Sequence, residues 1–142
     1  MATDKILNKT ISIKATTSEV WKALTNPDLI KQWLFGTKVI SDWKVGEPIL
    51  FTGNWQGTDY EDKGTILKFD PEKVFQYNYW SGFSGKPDVP ENYSVITFEL
   101  KTNSAVTILT LTQSNVASEI AYEHSDKNWD ATLALMKKII EN

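Results

Sequence analysis

The chain has 142 residues, of which 41% are hydrophobic and 23% charged, and it contains no cysteine. This length supports a single domain over residues 1–142, and the lack of cysteine excludes disulfides and thiolate metal sites. No apolar run is long enough to span a membrane and the start does not resemble a secretion signal, so we expect a cytoplasmic protein without membrane contact. All 15 basic residues are lysine and the net charge is −3, which disfavours nucleic-acid binding because arginine supplies most bidentate contacts there.

The first predicted elements are a strand and a helix. Alternating polar and β-branched residues over 6–14 predict the strand. Thr16 and Glu19 then have the spacing of a capping box. A helix should therefore begin at this point and run through Val20 and Leu24.

A second short helix is predicted in the stretch NPDLIKQWLFG, residues 26–36. Asn26 suits the N-cap and Pro27 the first helical position, where its missing N–H is no loss. Gly36 should stop the helix. The large side chain of Trp33 at the end of so short a helix either fills the core or lines a cavity.

After Gly36 the apolar period changes to two residues, which is typical of strands with one buried face. Short turn signals separate these strands, as in an antiparallel meander. A loop rich in glycine and proline interrupts them at 81–92. The predicted strands are 38–42, 48–55, 60–70, 74–80, 92–101 and 106–113.

A long C-terminal helix is predicted over 126–141. Its apolar side chains step by four, three and four residues, which places them on one helix face. Its start is left open, because Ser125 or Asp126 could cap it while Ile120 and Tyr122 could belong to an earlier turn. The stripe consists of Trp129, Leu133, Met136 and Ile140.

This order of elements predicts an α+β fold in which the long helix covers a curved antiparallel sheet and two short helices close one end. The stretches NPDLIKQWL (26–34), VGEPILFTG (45–53), YEDKGTIL (60–67) and NWDATLALMKKI (128–139) resemble the Bet v 1-like, START-like (SRPBCC) superfamily. Within it they are similar to domains named after the activator of Hsp90 ATPase.

The resemblance implies a helix-grip fold with six to seven strands and an elongated, mostly apolar cavity between sheet and long helix. It also implies that Trp33 lies at the cavity rim. The co-chaperone of this name has a separate N-terminal domain that engages Hsp90, and nothing in these 142 residues matches it. The resemblance therefore does not imply the co-chaperone activity for this chain.

Catalytic and metal-binding patterns are weak. The single histidine, His124, excludes multi-histidine metal sites, and the Gly-Phe-Ser-Gly stretch at 82–85 is one residue short of a nucleophile elbow. The acidic residues of 59–62 are interpreted as a solvated turn. Glu119, Glu123 and His124 near the long helix could transfer a proton, although an exposed histidine is the simpler interpretation. No metal and no cofactor is implied.

The aromatic residues are the stronger signal, since five tyrosine hydroxyls are many for a dry core. We expect binding of a small apolar or aromatic molecule in the internal cavity, without catalysis. Three residues should make polar contacts with the ligand, and eight others should form the aromatic or apolar walls of the cavity. The polar residues are Tyr60, Gln113 and His124; the walls are Trp33, Phe51, Trp55, Tyr77, Tyr79, Phe98, Trp129 and Leu133.

Two alternatives stay open. A protein-interaction module related to Hsp90 co-chaperones and stress response would show an exposed apolar patch at Trp43 or Trp80 and a filled cavity. A cyclase- or hydratase-like enzyme would hold His124 or a tyrosine deep in the cavity with a shifted pKa. The oligomeric state and the ligand are not predicted.

Overall fold

The computed structural model describes residues 5–81, 87–116 and 119–141. These residues form a seven-stranded antiparallel sheet and three helices, which confirms the predicted α+β helix-grip class. None of the helices in these ranges is long and apolar enough to cross a membrane. In chain order the elements are β1 (Lys5–Ile13), α1 (Thr17–Thr25), α2 (Pro27–Trp33), β2 (Lys38–Ser41), β3 (Pro48–Trp55), β4 (Thr58–Asp70), β5 (Val74–Tyr79), a 3₁₀ turn (Pro90–Asn92), β6 (Ser94–Asn103), β7 (Val106–Val116) and α3 (Glu119–Glu141).

The strand order in the sheet is β1-β7-β6-β5-β4-β3-β2. Strands β2 to β7 follow one another as an antiparallel meander, and β1 pairs with β7 at the far edge. The chain must therefore cross from one edge of the sheet to the other between β1 and β2. Helices α1 and α2 make this crossing, and both contact α3. The two short helices thus close one end of the space between sheet and α3.

The predicted N-caps of the short helices are present. The Thr16 side chain accepts a hydrogen bond from the Glu19 N–H at 3.1 Å, and the Glu19 carboxylate accepts one from the Thr16 N–H at 3.3 Å. The Asn26 side chain accepts from the Asp28 N–H at 2.9 Å. Each bond satisfies an amide that has no partner within its helix.

Helix α3 begins at Glu119, about two turns before the predicted range. Ser125 and Asp126 therefore lie inside the helix and do not cap it. The Asp126 carboxylate is 2.6 Å from the Lys9 ammonium, which also contacts Asp130 at 2.7 Å. An ion pair with β1 thus explains a polar residue that resembled a cap in the sequence.

Several predicted strand ends differ by one to three residues. Strand β4 begins at Thr58, and β6 runs from Ser94 because Asn92 ends the 3₁₀ turn. Asn103 pairs with Val106, so β6 continues into the predicted turn. Strand ends depend on pairing partners that the local sequence does not show.

Strand β4 contains one irregularity in its pairing. Ile66 pairs with Tyr77 and Lys68 with Gln76, so β4 carries one more residue than β5 at Leu67. Such a bulge inverts the alternation of inward and outward side chains. Residues 62, 64 and 66 are buried before the bulge, and the partly buried Phe69 packs against the core after it.

An aromatic cluster fills the core at this end of the sheet. The rings of Trp21 and Phe69 lie 5.2 Å apart, and Trp43 lies 6.3 Å from Phe69 and 6.0 Å from Phe75. Phe75 stacks on Phe98 at 6.3 Å. This cluster connects α1 to the centre of the sheet and leaves the other half of the concave face for a cleft.

Candidate functional site

A cleft of about 590 Å³ opens between the sheet, the C-terminal end of α2 and the N-terminal half of α3. Its described walls combine aromatic rings with hydroxyl, amide and carboxylate groups. The sheet supplies one side and α3 the other. The lining residues are Leu34, Phe35, Thr37, Phe51, Asn54, Tyr60, Asp62, Tyr77, Tyr79, Ile96, Gln113, Ser125, Asn128, Trp129 and Thr132.

The sheet side of the cleft is a row of side chains across three strands. Phe51 on β3 pairs directly with Asp62 on β4. The Phe51 ring lies 5.5 Å from the ring of Tyr79 and 5.5 Å from that of Tyr77, both on β5. The short Asp62 side chain on the strand between them lets these rings approach each other. An acidic group thus lies among three aromatic rings.

Strand β4 can approach β5 closely in this region because residue 64 is glycine. A Cβ at Gly64 would overlap the carbonyl oxygen of Asn78. The Asn78 side chain also accepts a hydrogen bond from the Thr65 N–H at 2.6 Å. This contact sets the position of β4 relative to β5, and with it that of Asp62 relative to Tyr79.

Tyr77 has a buried ring and an available hydroxyl. It is 5% exposed, and its hydroxyl makes no hydrogen bond to the described part of the chain. Every described side-chain oxygen or nitrogen that is sealed from solvent does have a partner. The Tyr77 hydroxyl therefore reaches open space, which is the cleft that Tyr77 lines. Burial raises the pKa of this hydroxyl, so the group is a neutral hydrogen-bond donor.

The Tyr79 hydroxyl donates a hydrogen bond to the carboxylate of Asp62. Asp62 is 7% exposed, so the pair is largely shielded from solvent. Burial, followed by the charge of Asp62 and this hydrogen bond, raises the pKa of Tyr79 well above its usual value. Tyr79 therefore stays protonated and holds Asp62 in the cleft wall.

Two further hydrogen bonds hold the walls together. The hydroxyls of Thr37 and Tyr60 share one of 2.6 Å, and the Trp129 indole N–H donates one of 2.8 Å to the Gln113 side-chain oxygen. The first connects the segment after α2 to β4, and the second connects α3 to β7. These tyrosine and tryptophan rings are therefore fixed at the edges of the cleft.

Phe35 lies at the mouth of the cleft and is 61% exposed. It follows the end of α2 with φ 52°, and Gly36 follows with φ 86°. The left-handed region is unfavourable for phenylalanine and natural for glycine. The chain therefore keeps a strained, exposed aromatic residue beside the opening.

Six of the residues predicted for the site line this cleft. They come from β3, β4, β5, β7 and α3, so the fold brings together residues far apart in the sequence. Their role in binding stays a prediction. They are Phe51, Tyr60, Tyr77, Tyr79, Gln113 and Trp129.

Four residues predicted for the site do not line the cleft. Two of them, Trp33 and Phe98, are buried in the core. Trp33 is 3% exposed, and its indole N–H donates to the Ala23 carbonyl at 2.9 Å. It therefore fixes α2 to α1, and the rim position implied by the resemblance is taken by Leu34 and Phe35. Phe98 is buried behind Trp129, whose ring it meets edge-on at 6.0 Å.

Leu133 and His124 are separated from the cleft by the helical period of α3. The cleft side of α3 carries residues 125, 128, 129 and 132, spaced by three, one and three. Leu133 points toward β1, where it lines a shallower depression with Lys9 and Ile11. His124 is exposed, as is Glu123. The proton-transfer interpretation of this pair therefore has no support from the cleft.

Some predictions fall on parts of the chain that the structure does not describe. Trp55 ends β3, but its side chain lies outside the described residues, as does that of Glu119. The Gly-Phe-Ser-Gly stretch at 82–85 lies outside them entirely. Among the described residues no three of His, Asp or Glu come together as a metal-binding group.

Sequence reasoning missed nine of the lining residues, among them Asp62, Asn128 and Thr132. The interpretation of 59–62 as a solvated turn is wrong for Asp62, which faces the cleft. The signal was available, because two-residue steps back from the apolar Ile66 reach Gly64, Asp62 and then Tyr60.

The patch predicted for a protein-interaction module is not found at Trp43 or Trp80. Trp43 packs on Phe69 and Phe75, and the Lys63 ammonium lies 5.9 Å from the centre of the Trp80 ring. Both tryptophans are half-buried.

Comparisons with solved structures show close agreement in fold. ChR145 from Cytophaga hutchinsonii is 44% identical, with 97% of this chain and 94% of that chain covered and a TM-score of 0.85. The Aha1 dimer from Colwellia psychrerythraea is 23% identical, with 96% of each chain covered and a TM-score of 0.76. DynU16, a protein in the dynemicin biosynthetic locus, is 15% identical, with 96% of this chain and 47% of that one covered and a TM-score of 0.80.

A search of curated proteins found no match to the chain. A family model does match, and it covers residues 14–141. The matched region includes α1 to α3, strands β2 to β7 and every described residue that lines the cleft. With this match and the 44% identity to a solved relative, the chain belongs to the family of Activator of Hsp90 ATPase homolog 1-like proteins.

Proposed function

We propose that this protein binds a small apolar or aromatic molecule in the cleft between the sheet and α3. One observation carries the proposal: the Tyr77 hydroxyl lines a cleft of mixed aromatic and polar walls without a hydrogen-bond partner among the described residues. Because this hydroxyl opens into the cleft, an acceptor on a ligand can take its hydrogen bond in place of water. The proposed ligand therefore has an apolar body and at least one polar group.

The size and composition of the cleft support this proposal. Its volume of about 590 Å³ lies within the roughly 300–1,000 Å³ that is usual for small-molecule sites. Such sites combine apolar walls with a few polar groups that orient the ligand. Phe51, Tyr77 and Trp129 would contribute the walls, and Tyr77, Asp62 and Gln113 the polar contacts.

The first test is native mass spectrometry of freshly purified protein, followed by organic extraction and identification of any bound molecule. A mass increase that disappears on extraction would support the proposal. Binding of an apolar fluorescent dye would be measured in parallel, because an empty protein can still have a functional site. Absence of both a bound molecule and dye binding would contradict the proposal.

A pair of variants on α3 locates the binding. Asn128 is exposed and lines the cleft, whereas the neighbouring Lys127 is exposed and does not line it. We expect Asn128→Trp to fill the opening and lower dye affinity at least about tenfold, equivalent to about 1.4 kcal/mol. Lys127→Trp should leave the affinity within about twofold. Equal effects would place the dye outside the cleft.

Catalysis is a second candidate, favoured by the Asp62–Tyr79 pair in the cleft wall. In that case Asp62 would accept a proton from a bound substrate while Tyr79 positions it. The test is to incubate the extracted molecule with wild-type protein and with Asp62→Asn and to follow its mass. Conversion by the wild type alone would support an enzyme, and no conversion by either would contradict it.

A protein-interaction role is a third candidate. The segment 35–45 carries three exposed large apolar side chains, Phe35, Ile40 and Val45. Ile40 lies on β2, which is an edge strand of the sheet, and edge strands can pair with a strand of another chain. Ile40→Lys should abolish self-association in light scattering if this edge is an interface. A role in stress response and a cytoplasmic location stay predictions.

A further inference from the structure

Two side chains with unused hydrogen-bond donors lie in one row across the sheet. Tyr77 on β5 pairs with Ile96 on β6, and Ile96 pairs in turn with Gln113 on β7. Directly paired residues share a face of the sheet, and all three line the cleft. The backbones of Tyr77 and Gln113 are two strand spacings apart, about 10 Å. A ligand that lies over Ile96 therefore has one donor group on each side.

Trp129 determines which end of the Gln113 amide remains available. An indole N–H can only donate a hydrogen bond, so the amide oxygen must make the 2.8 Å contact with it. The amide nitrogen then keeps two N–H groups that have no partner in the part of the chain that the structure describes. Gln113 is half-buried, and every described side-chain nitrogen that is sealed from solvent has a partner. These N–H groups therefore reach open space, which is the cleft that Gln113 lines.

The Tyr77 hydroxyl is the second group of the row. Its residue is 5% exposed, and the hydroxyl makes no hydrogen bond within residues 5–81, 87–116 and 119–141. Burial raises its pKa, so the proton stays on the oxygen at neutral pH. A hydroxyl can donate or accept, whereas the free end of Gln113 can only donate. A ligand that uses both groups must therefore present an acceptor to this row.

A carbonyl oxygen meets this requirement most simply. It has two lone pairs, so it can accept more than one hydrogen bond. It also carries no proton, whereas a ligand hydroxyl or amine would bring an O–H or N–H that needs a partner of its own. The carbonyl can thus enter the cleft at the cost of its own hydration alone.

We propose that the cleft recognises an apolar molecule by a carbonyl oxygen that accepts hydrogen bonds from the Tyr77 hydroxyl and the Gln113 amide nitrogen. The carbonyl would lie over Ile96, and the apolar body would pack on Phe51 and Trp129. Trp129 also acts as a positioning residue, because its bond to the amide oxygen keeps the N–H groups available. The proposal rests on the proposed binding function and names the class of its ligand.

The test uses two probes of nearly equal shape, 2-acetylnaphthalene and 2-isopropenylnaphthalene, which differ only by a C=O in place of a C=CH₂ group. Their affinities for the wild-type protein at pH 7 would be measured by displacement of the apolar dye. Each affinity is divided by the partition coefficient of that probe from water into cyclohexane, a solvent that makes no hydrogen bonds. We expect this corrected affinity to be at least about tenfold higher for the ketone. Equal corrected affinities overturn the inference.

Failure of the inference and failure of the proposed function are distinguishable. If the probes or the dye bind without a corrected preference for the ketone, the binding function stands and the recognition of a carbonyl is wrong. If neither the probes nor the dye bind, both proposals are wrong. This comparison needs only wild-type protein, so it does not depend on the folding of a variant.

A first pair of variants assigns the preference to the Tyr77 hydroxyl. Tyr77→Phe keeps the ring and removes the donor, so the ketone should lose about five- to tenfold in affinity and the hydrocarbon less than twofold. Tyr93→Phe is the matched control, because the Tyr93 hydroxyl donates to Asp88 and Tyr93 is not among the residues found to line the cleft. It should leave both affinities unchanged. Equal ketone losses in the two variants, or none in Tyr77→Phe, contradict this role of Tyr77.

A second pair tests the Gln113 amide. Gln113→Glu keeps an oxygen for the Trp129 N–H and removes both N–H donors, so the ketone should again lose at least about fivefold and the hydrocarbon less than twofold. Gln76→Glu adds the same charge on β5, at a residue that is not found in the cleft wall, and should change neither affinity. A loss shared by both probes, or an equal loss in Gln76→Glu, contradicts the role of Gln113.

Discussion

The Trp129 indole N–H and the Gln113 side-chain oxygen are joined by a 2.8 Å hydrogen bond that connects α3 to β7. Trp129 is 9% exposed, and Phe98 packs edge-on against its ring at 6.0 Å. The same ring therefore belongs to the core on one side and to the cleft on the other. Its position depends on a polar bond as well as on packing.

We expect Gln113→Leu to lower the free energy of unfolding by about 1–2 kcal/mol, because it leaves the mostly buried indole N–H without its partner. Chemical denaturation would measure this. Gln76→Leu is the control: Gln76 donates at 3.0 Å to the Thr97 hydroxyl, and both residues are only half-buried, so water can replace that bond. A loss at Gln113 no larger than at Gln76 would contradict the prediction.

Burial of the Tyr77 hydroxyl predicts a loss of stability at high pH. Its pKa is raised in the folded state, whereas an unfolded tyrosine titrates near pH 10. Above about pH 10 the unfolded chain releases this proton and the folded chain keeps it, so the free energy of unfolding falls as pH rises. Below that range the group contributes no pH dependence.

Tyr77→Phe should remove this part of the pH dependence. Between pH 7 and pH 11 the wild type should lose about 1.4 kcal/mol more than the variant. Thermal and urea unfolding of both proteins at both pH values would measure these losses. The lysines titrate equally in the two proteins, so their contribution cancels when the losses are compared. Equal falls in the free energy of unfolding of the two proteins would contradict the prediction, because they would show that the hydroxyl ionises in the folded state as it does in the unfolded chain.

Position 64 should not tolerate any side chain larger than that of glycine. Because a Cβ there would overlap the Asn78 carbonyl oxygen, Gly64→Ala should cost about 3 kcal/mol or more, or prevent folding. At Gly53 the added Cβ meets the end of the Tyr60 side chain, which can shift at the cost of its hydrogen bond with Thr37. Gly53→Ala should therefore fold and weaken ligand binding by displacing Tyr60. Equal stability of the two variants in urea would contradict this account.

Local signals predicted the elements well. Thr16, Glu19, Asn26 and Pro27 make or occupy the capping positions that their residue types favour. These contacts span three residues or fewer, so sequence spacing determines them. The start of α3 was harder to predict from the sequence. Asp126 resembled a helix cap, but it forms an ion pair with Lys9, more than a hundred residues earlier in the chain.

The site was predicted only in part, because some of its residues are positioned by contacts that are distant in the sequence. Aromatic residues on β3 and β5 were recognised from alternation, and Phe51, Tyr77 and Tyr79 do converge. The direction of Leu133 depends on how α3 is rotated against the sheet. Asp62 was missed because an acidic residue is usually solvated, and its hydrogen bond with Tyr79, 17 residues along the chain, does not show in the local sequence.

The extra residue at Leu67 divides β4 into two stretches that serve different purposes. Before it, Tyr60 and Asp62 face the cleft; after it, Phe69 belongs to the aromatic cluster with Trp21. Substitutions in the first stretch can alter the shape and polarity of the cleft while the second keeps its packing. The lining of the cleft can therefore change along one half of a single strand without rebuilding the core that the other half supports.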